Sequence, residues 1–388
     1  MKHIFVNFAA VVLKKKLCFA FCILNLLLIG DGWAYTFQST GLYQSYNSLS
    51  SWANNLQTQN PNLVKVVQYG TSYLGNPLIA LEITSNVTVN DTSKSDFLFT
   101  AGIHAREVIG SEAALDIAQN LVNGYTSANP AVQSAYQSML AERDVWIIPQ
   151  QNPDGRLAVE GGRSDQRKNM HLYPGQTQSN YTVGVDLNRN FPHLWNLASS
   201  SVTDETYRGP SALSEPESNA LWNLVNDKTK FSKLTASIDF HSGAQTILTA
   251  WSSPTDYAQN ESQIPAPVQQ KFNTLASALQ QKTGYSTDRL TYDYYGTESD
   301  SLYEAFGSYS MTEELYTGSF IGSYPDSYFS YFNPVDAATR DATTKKAVDS
   351  ALYLLSDAAF DVPEPAAFVL LAAAGFMLLA FARRRTRR

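Results

Sequence analysis

The sequence predicts an α/β sandwich with a mixed, mostly parallel central sheet, and two observations support this fold class. Short runs rich in apolar and β-branched residues lie at 96–103, 144–149, 234–240 and 310–315. Between and after these runs, apolar residues recur at helical spacing in segments 111–122, 266–281 and 342–358. Such alternation of strand-like and helix-like segments is typical of a sheet with helices on both faces. We therefore expect the residues that directly follow the strands to carry the function.

The middle of the chain has the composition of one globular domain. The 388 residues are 44% hydrophobic and 12% aromatic, which is ample for a buried core. No repeat, low-complexity run or linker interrupts residues 36–360. We therefore predict one domain over residues 35–360, which we expect to act as a monomer.

The N-terminal segment has the pattern of a signal peptide. Lysines at positions 2 and 14–16 precede an apolar run at 17–29, and Gly32 and Ala34 are small residues at the −3 and −1 positions of a cleavage site. An uncleaved anchor is the alternative, but the apolar run falls short of the ~20 residues that span a bilayer. The predicted signal peptide, residues 1–34, contains both cysteines, so we expect a mature chain without disulfides.

The C-terminal segment, residues 361–388, has three parts. Pro363, Glu364 and Pro365 precede a predicted transmembrane segment at 366–382 and an arginine-rich end. This order resembles the PEP-CTERM signal of Gram-negative bacteria, which an exosortase recognises. A plain tail anchor is the alternative. Both interpretations predict export, with the main domain outside the cytoplasmic membrane.

The charge of the domain argues against nucleic-acid binding. Without residues 1–34 and 366–388, 19 basic residues stand against 34 acidic ones. Phosphate contacts with basic side chains supply most nucleic-acid affinity. We therefore expect no nucleic-acid partner.

Candidate metal ligands follow two of the predicted strands. His104 and Glu107 come directly after the run at 96–103, and His241 follows the run at 234–240. A catalytic zinc ion takes three nitrogen or oxygen ligands and keeps one position open. A His and a Glu three residues apart is a weak signal by itself, and His241 alone could be a core histidine. The two remaining histidines of the domain, His171 and His193, lie in loop-like sequence, where we expect surface residues.

Several further motifs occur in order and together resemble the zinc metallocarboxypeptidases of the carboxypeptidase A type. The motifs are a helix and hairpin from residue 46, GIHAREVIG from Gly102, NPDGR from Asn152, VGVDLNRNF from Val183, SIDFHSG from Ser237 and SMTEEL from Ser310. The resemblance implies the family's phosphorylase/hydrolase-like fold, one Zn²⁺ per chain held by His104, Glu107 and His241, and hydrolysis at peptide or protein C-termini. It also implies that NPDGR forms a loop.

The resemblance further implies roles for individual side chains. Glu314 would act as the general base toward water, and Arg167 would stabilise the oxyanion. Asn188, Arg189 and Tyr292 would hold the substrate's terminal carboxylate, and Arg106 would contact the substrate upstream of the scissile bond. Asp186 would orient the first metal histidine. Because neighbouring strand residues face opposite ways, only one of Glu313 and Glu314 can point into the site.

The sequence departs from the family pattern in two places. The catalytic match begins close to residue 35, so we expect no N-terminal activation domain. The base of the specificity pocket falls at Ser299, flanked by Glu298 and Asp300, so hydrophobic, basic and broad preferences all stay open. Asp300 is expected to be structural, and Glu298 to face away.

Two other functions stay open from sequence. A related zinc amidohydrolase, acting on acylated amino acids or on peptidoglycan stem peptides, would keep the metal ligands and Glu314 but need not keep Asn188, Arg189 and Tyr292. A binding module without catalysis would be expected to lack a metal ligand or Glu314, whereas all of them are present.

Overall fold

The computed structural model describes residues 35–177, 182–251, 264–287 and 294–360. The predicted signal peptide, the predicted sorting segment and Tyr292 lie outside these ranges. Within them, one seven-stranded sheet has the order β1-β2-β4-β3-β5-β7-β6. The strands are β1 Val64–Thr71, β2 Pro77–Ile83, β3 Ser95–Ala101, β4 Arg143–Ile148, β5 Leu234–His241, β6 Thr246–Thr249 and β7 Tyr309–Glu314.

The directions of the strands confirm the predicted sheet type. The four central strands β4, β3, β5 and β7 pair in parallel. On one side of these four strands, β1 and β2 add antiparallel pairings, and on the other side β6 does so. All four strand-like runs identified in the sequence are the parallel strands. The runs at 96–103, 144–149 and 234–240 are apolar at more than half of their positions, as is typical of strands buried on both faces, whereas the run at 310–315 contains two glutamates.

Helices cover both faces of the sheet, which confirms the α/β fold class. Their bounds are Phe37–Thr40, Tyr46–Gln59, Ile109–Tyr125, Pro130–Glu142, Pro153–Glu160, Pro216–Asn226, Ala266–Thr283, Glu298–Phe306, Ser327–Phe332, Ala337–Leu354 and Asp357–Phe360. The larger core lies on the face that holds Ile109–Tyr125, Ala266–Thr283 and Ala337–Leu354. A smaller core on the other face includes Leu221 and Leu302.

Local sequence explains where several helices begin. Ser45, Asn129, Thr297 and Asp336 each accept a hydrogen bond from a backbone N–H in the first turn of the helix that follows. Asn152 does the same for Pro153–Glu160, accepting from the N–H of Gly155 at 2.9 Å. The loop predicted for NPDGR was therefore wrong from Pro153 onward, because an asparagine cap followed by proline starts a helix.

The carboxyl ends of the parallel strands form one edge of the sheet, called here the upper edge. His241 and Glu314 are the last residues of β5 and β7, and His104 follows β3 in the loop that begins at Gly102. Gly102 has φ +71°, and a Cβ there would lie 2.7 Å from the side-chain amide of Gln150. This turn therefore requires glycine.

The described chain ends at the opposite edge of the sheet. The ring of Phe360 packs 5.7 Å from that of Phe97, near the start of β3, and 5.9 Å from that of Tyr309, the first residue of β7. Among the residues that the structure describes, no helix combines the length and apolar character needed to cross a membrane.

Candidate active site

Three buried side chains converge at the upper edge of the sheet. Nδ1 of His104 lies 3.0 Å from Nδ1 of His241, and each of these nitrogens lies 3.0 Å from a carboxylate oxygen of Glu107. His104 and Glu107 come from the loop after β3, and His241 ends β5. Adjacent parallel strands thus bring together residues that are 137 positions apart in the chain.

The far side of each imidazole is bound by a carboxylate. Nε2 of His104 lies 3.2 Å from Oδ1 of Asp186, and Nε2 of His241 lies 2.6 Å from Oδ2 of Asp239. An ionised carboxylate only accepts hydrogen bonds, so these contacts place the imidazole protons on Nε2. The two Nδ1 lone pairs then face each other and the Glu107 carboxylate.

This donor set fits a zinc ion. Two imidazole nitrogens and one carboxylate oxygen, all within 4.8 Å of one another, are the three-ligand set of a catalytic zinc site. Lone pairs at 3.0 Å repel unless a cation lies between them. The outer carboxylates fix the ring orientation, as is usual around metal-bound histidines.

The electrostatics of the group also favour a cation. Burial alone would raise the pKa of Glu107, but His104 and His241 hold it well below its ordinary value. Burial alone would lower the pKa of His241, but Asp239 and Glu107 hold it well above its ordinary value. Positive charge is therefore stabilised where the three side chains meet.

Glu314 and its neighbour Glu313 lie on opposite faces of β7, as strand alternation predicts. Oε1 of Glu313 accepts a hydrogen bond from Ser350 at 3.2 Å in the larger core. Glu314 instead lines the cavity beside the metal group, and its buried Oε2 has no hydrogen-bond partner among the described residues. Burial raises the pKa of Glu314 above its ordinary value, and the nearby Glu107 adds to the effect.

Arg167 reaches the same cavity, whereas the adjacent Lys168 does not line it. The guanidinium of Arg167 donates to Oδ2 of Asp186 at 3.0 Å and lies 3.7 Å from Oε1 of Glu107. Burial opposes its charge, but Asp186 and Glu107 raise its pKa above the ordinary arginine value. Lys168 donates to the backbone carbonyls of Thr182 and Asp204, so it supports the surrounding loops.

A short turn, Leu187–Arg189, presents Asn188 and Arg189 to the cavity. Asp186 caps this turn by accepting from the N–H of Asn188 at 3.0 Å. The side chain of Asn188 accepts from the N–H of Glu298 at 2.8 Å, and its Nδ2 lies 3.1 Å from Nε2 of His241. Arg189 donates to the carbonyl of Asn188 at 2.6 Å, and its guanidinium lies 4.9 Å from the ring centroid of Tyr294.

Arg106 also lines the cavity, and its guanidinium is held by aromatic rings and an acid. It lies 4.4 Å from the centroid of Phe332 and 5.1 Å from that of Tyr328. Nη1 donates to Glu205 at 2.5 Å. Glu205 also lines the cavity.

The cavity has a volume of about 300 Å³ and brings together most of the residues selected from the sequence. They are His104, Arg106, Glu107, Arg167, Asn188, Arg189, His241 and Glu314. Asp186 lies behind His104. Ser299 lies behind Thr312, with the two hydroxyl oxygens 3.2 Å apart, and Thr312 is the one that lines the cavity. Tyr292 is outside the described residues, whereas Tyr294 lines the cavity.

Several residues of this site were not predicted from the sequence, and one histidine lies elsewhere than expected. Asp239 could have been found, because it lies two residues before His241 on the same strand and therefore shares its face. No sequence pattern indicated Glu205, because it is 99 residues from Arg106, its partner in the site, along the chain. His193 was wrongly expected at the surface: it is buried, with its ring stacked 4.2 Å from that of Trp251.

Comparison with known families gives two matches. The profile of the zinc carboxypeptidases, Peptidase M14, matches residues 49–328. The profile of the PEP-CTERM protein-sorting motif matches residues 361–388.

Individual relatives agree with the family match. The chain is 29% identical over 281 residues to zinc carboxypeptidase A 1 of Drosophila melanogaster, covering 71% of this chain and 59% of that protein. It is 31% identical over 296 residues to a zinc carboxypeptidase of Saccharothrix mutabilis subsp. capreolus, covering 73% and 64%. Each alignment thus spans less than two thirds of the relative.

A solved structure extends the likeness to the fold. Carboxypeptidase A from Helicoverpa armigera superposes with a TM-score of 0.61 at 25% identity, covering 81% of this chain and 73% of that one. The profile match covers well over half of the chain. The donor set of this chain, two histidines and one glutamate, fits zinc, which is the metal that the family's name gives. The chain therefore belongs to the zinc carboxypeptidase family.

Proposed function

We propose that this chain is an exported zinc-dependent carboxypeptidase that hydrolyses the C-terminal peptide bond of peptides or proteins, with Glu314 as the general base. One observation carries the proposal: Glu314, whose buried Oε2 has no hydrogen-bond partner among the described residues, shares a cavity with a complete zinc ligand set and with three arginines. The metal group alone would support a hydrolase in general. The arginines at the cavity favour an exopeptidase.

His104, Glu107 and His241 would hold the metal. Zinc bound there supplies a Lewis acid that polarises the scissile carbonyl and lowers the pKa of water. Glu314 takes the proton of the attacking water and passes it to the leaving amine. Its raised pKa suits this task, because a general acid-base group works best with a pKa near the operating pH.

Arg167 stabilises the negative charge that develops on the carbonyl oxygen. It is a fixed cation, since Asp186 and Glu107 hold its guanidinium in place beside the metal group. Preorganised charge of this kind contributes most in a site that excludes water.

Arg189 and Asn188 recognise the terminal carboxylate of the substrate. A guanidinium can bind a carboxylate through two parallel hydrogen bonds. Arg189 is 6% exposed and directed at the cavity, so a carboxylate bound to it is largely desolvated. Tyr292 closes over the substrate in this proposal, and Arg106 contacts residues upstream of the scissile bond.

The pocket for the terminal side chain is lined on its described side by Leu248, Thr297 and Thr312, with Ser299 behind Thr312. This lining is apolar and hydroxylic. We therefore expect small or apolar C-terminal residues to be removed faster than basic ones.

Mass spectrometry of a peptide mixture tests the proposal. The domain from residue 35 to residue 360, incubated with zinc, should remove single residues from free C-termini, and both chelator and Glu314→Gln should stop the trimming. Glu313→Gln is the matched control, because it changes the neighbouring glutamate on the other face of β7. Internal cleavage, or trimming that survives the chelator, would contradict the proposal.

The same experiment separates the other candidate functions. An amidohydrolase would release acyl groups from amino acids, or cut peptidoglycan stem peptides, and would spare ordinary peptide C-termini. A non-catalytic binding module would bind peptides without shortening them.

The C-terminal sorting motif supports export of the chain. The PEP-CTERM motif implies sorting by an exosortase to the envelope of a Gram-negative cell. In this proposal residues 1–34 are removed by signal peptidase, and 366–382 anchor the chain transiently. The last described residue, Phe360, lies at the edge of the sheet opposite the site, on the order of 20 Å from it along strands of six or seven residues.

A further inference from the structure

A second buried glutamate lies next to the site but is not used by the proposed reaction. Glu298 is 1% exposed, and its carboxyl group points away from the cavity. Oε1 lies 2.8 Å from the hydroxyl of Thr100, and Oε2 accepts from the side-chain N–H of Gln151 at 2.8 Å. Both neighbours are uncharged.

Thr100 connects this glutamate to the metal group. Thr100 on β3 is directly opposite Asp239 on β5 in the sheet register. Its Oγ1 lies 3.2 Å from Oδ1 of Asp239, whose other oxygen lies 2.6 Å from Nε2 of His241. A continuous row of polar groups therefore runs from Glu298 through Thr100 and Asp239 to His241.

The number of protons in this row is limited. The hydroxyl of Thr100 carries one proton, so it can donate to only one of the two carboxyl groups that it contacts. Without a further proton, the Thr100 oxygen and the oxygen of the other carboxyl group would face each other with lone pairs only. Such a contact is costly in a buried site. One of the two carboxyl groups must therefore bring its own proton.

The surroundings assign that proton to Glu298. Asp239 already accepts from His241, whereas the oxygens of Glu298 contact only neutral groups among the described residues. Burial raises the pKa of Glu298 well above its ordinary value, and Asp239 adds to the effect. The helix that begins at Glu298 favours the ionised form, but by on the order of one pKa unit, whereas full burial can shift a carboxyl by several.

We propose that Glu298 is a positioning residue, which as a neutral acid donates to Thr100 so that Thr100 donates to Asp239 and fixes that carboxylate on Nε2 of His241. His241 is then held as the tautomer whose Nδ1 lone pair faces the metal. The inference rests on the proposed zinc-dependent function, because it assigns Glu298 to the support of a zinc ligand.

A different role for Glu298 would follow from its position beside Ser299. An ionised glutamate there could attract a basic C-terminal side chain of the substrate. The direction of its carboxyl group argues against this, since Thr297 and Thr312 line the cavity but Glu298 does not. The two roles make opposite predictions for glutamine at this position.

Substitutions at both ends of the Glu298–Thr100 contact test the proposal. Glutamine can donate to Thr100 and accept from Gln151, so Glu298→Gln should keep zinc affinity within about threefold of wild type. Thr100→Val keeps the volume but removes the hydroxyl that donates to Asp239, and it should weaken zinc binding about 10- to 100-fold. Glu298→Met removes the donor that orients the Thr100 hydroxyl but leaves that hydroxyl in place, and it should weaken zinc binding less, by about tenfold. Thr100→Ser restores a hydroxyl and should restore affinity. Glu304→Gln, on the same helix, is the control.

Zinc affinity is measured without substrate, by competition with a chromophoric chelator on variants whose thermal unfolding shows that they are folded. Peptides ending in leucine and in lysine are then compared as substrates. The inference is wrong if Glu298→Gln weakens zinc as much as Glu298→Met, or if Thr100→Val binds zinc like wild type. Selective loss of activity on the lysine peptide in Glu298→Gln would also overturn it. A wild type that binds zinc but shortens no peptide would instead refute the proposed function.

Discussion

The proposed carboxylate clamp predicts a specific loss when Arg189 is replaced by methionine. Arg189 is almost fully buried, with its guanidinium held by the carbonyl of Asn188 and the ring of Tyr294. Methionine keeps most of the length and apolar surface of the side chain and removes the charge and the hydrogen-bond donors. The turn Leu187–Arg189 should persist, because Asp186 caps it independently of the Arg189 side chain.

The size of the loss in kcat/KM follows from the cost of leaving the substrate's terminal carboxylate without its partner. Removing one partner of a buried, hydrogen-bonded charge pair costs about 2 to 5 kcal/mol, much of it from the other charge that remains without a partner. Each 1.36 kcal/mol is a factor of ten in rate, so kcat/KM for a peptide with a free C-terminus should fall about 30- to 5,000-fold.

The assay compares one peptide as the free acid and as the C-terminal amide, with wild type and Arg189→Met. Wild type should prefer the acid by a factor in the range given above, and the variant should lose this preference. The amide lacks the carboxylate, so its already slow hydrolysis should change little on substitution. Arg189→Lys should recover part of the preference, since lysine supplies the charge without the two parallel donors.

Two results would refute this reasoning. If Arg189→Met slows both peptides by the same factor, Arg189 acts on something other than the carboxylate. If the variant keeps the preference for the acid, another cation holds the substrate's terminus.

Three further predictions concern the metal and the two glutamates of β7. Glu314→Gln should lower kcat by about 100- to 10,000-fold with unchanged zinc affinity, which titration of the purified variant would check; wild-type kcat in the variant would exclude Glu314 as the base. Zinc at a thousandfold excess over its Kd should stabilise the folded chain by about 4 kcal/mol, seen as a higher Tm in calorimetry and abolished in His104→Ala. Burial raises the pKa of Glu313 from 4.5 to about 8, with Ser350 and Lys346 opposing the shift, so the native state binds more protons than the unfolded state between these values. The stability that protonated Glu313 contributes should therefore be fully present below pH 4.5 and be lost, by up to about 5 kcal/mol, as the pH rises from 4.5 through 8. In urea unfolding, Glu313→Gln should show a pH dependence that is smaller by this amount.

The sequence predicted the sheet well because its central strands are buried on both faces. The runs at 96–103, 144–149 and 234–240 correspond to parallel strands and are apolar at more than half of their positions, since helices cover these strands on both sides. The run at 310–315 is the fourth parallel strand, although it contains two glutamates. The edge strand Thr246–Thr249 was not predicted. It has only four residues and depends on its pairing with β7, which no local pattern encodes.

The upper-edge residues were found for a related reason. His104 and His241 lie at or just beyond strand ends, and parallel strands bring their carboxyl ends to one edge of the sheet. Glu314 also ends a strand, but its role was implied by the resemblance to the zinc carboxypeptidases. A position at the end of a predicted strand therefore indicated a position at the upper edge of the sheet. Asp239 follows from the same rule, because a residue two positions before His241 on a strand lies on the same face.

Contacts between distant segments could not be read in this way. The pairing of Arg106 with Glu205 joins two loops, and the contact of Glu298 with Thr100 depends on how the helix Glu298–Phe306 packs on β3. Such packing depends on the whole core and produces no pattern in the local sequence. The sequence could therefore place Glu298 beside the predicted pocket base Ser299, but it could not connect that side chain to Thr100. If the inferred row is correct, the direction of the Glu298 side chain decides its role. Directed into the cavity, it would select substrates; directed at Thr100, it orients a zinc ligand.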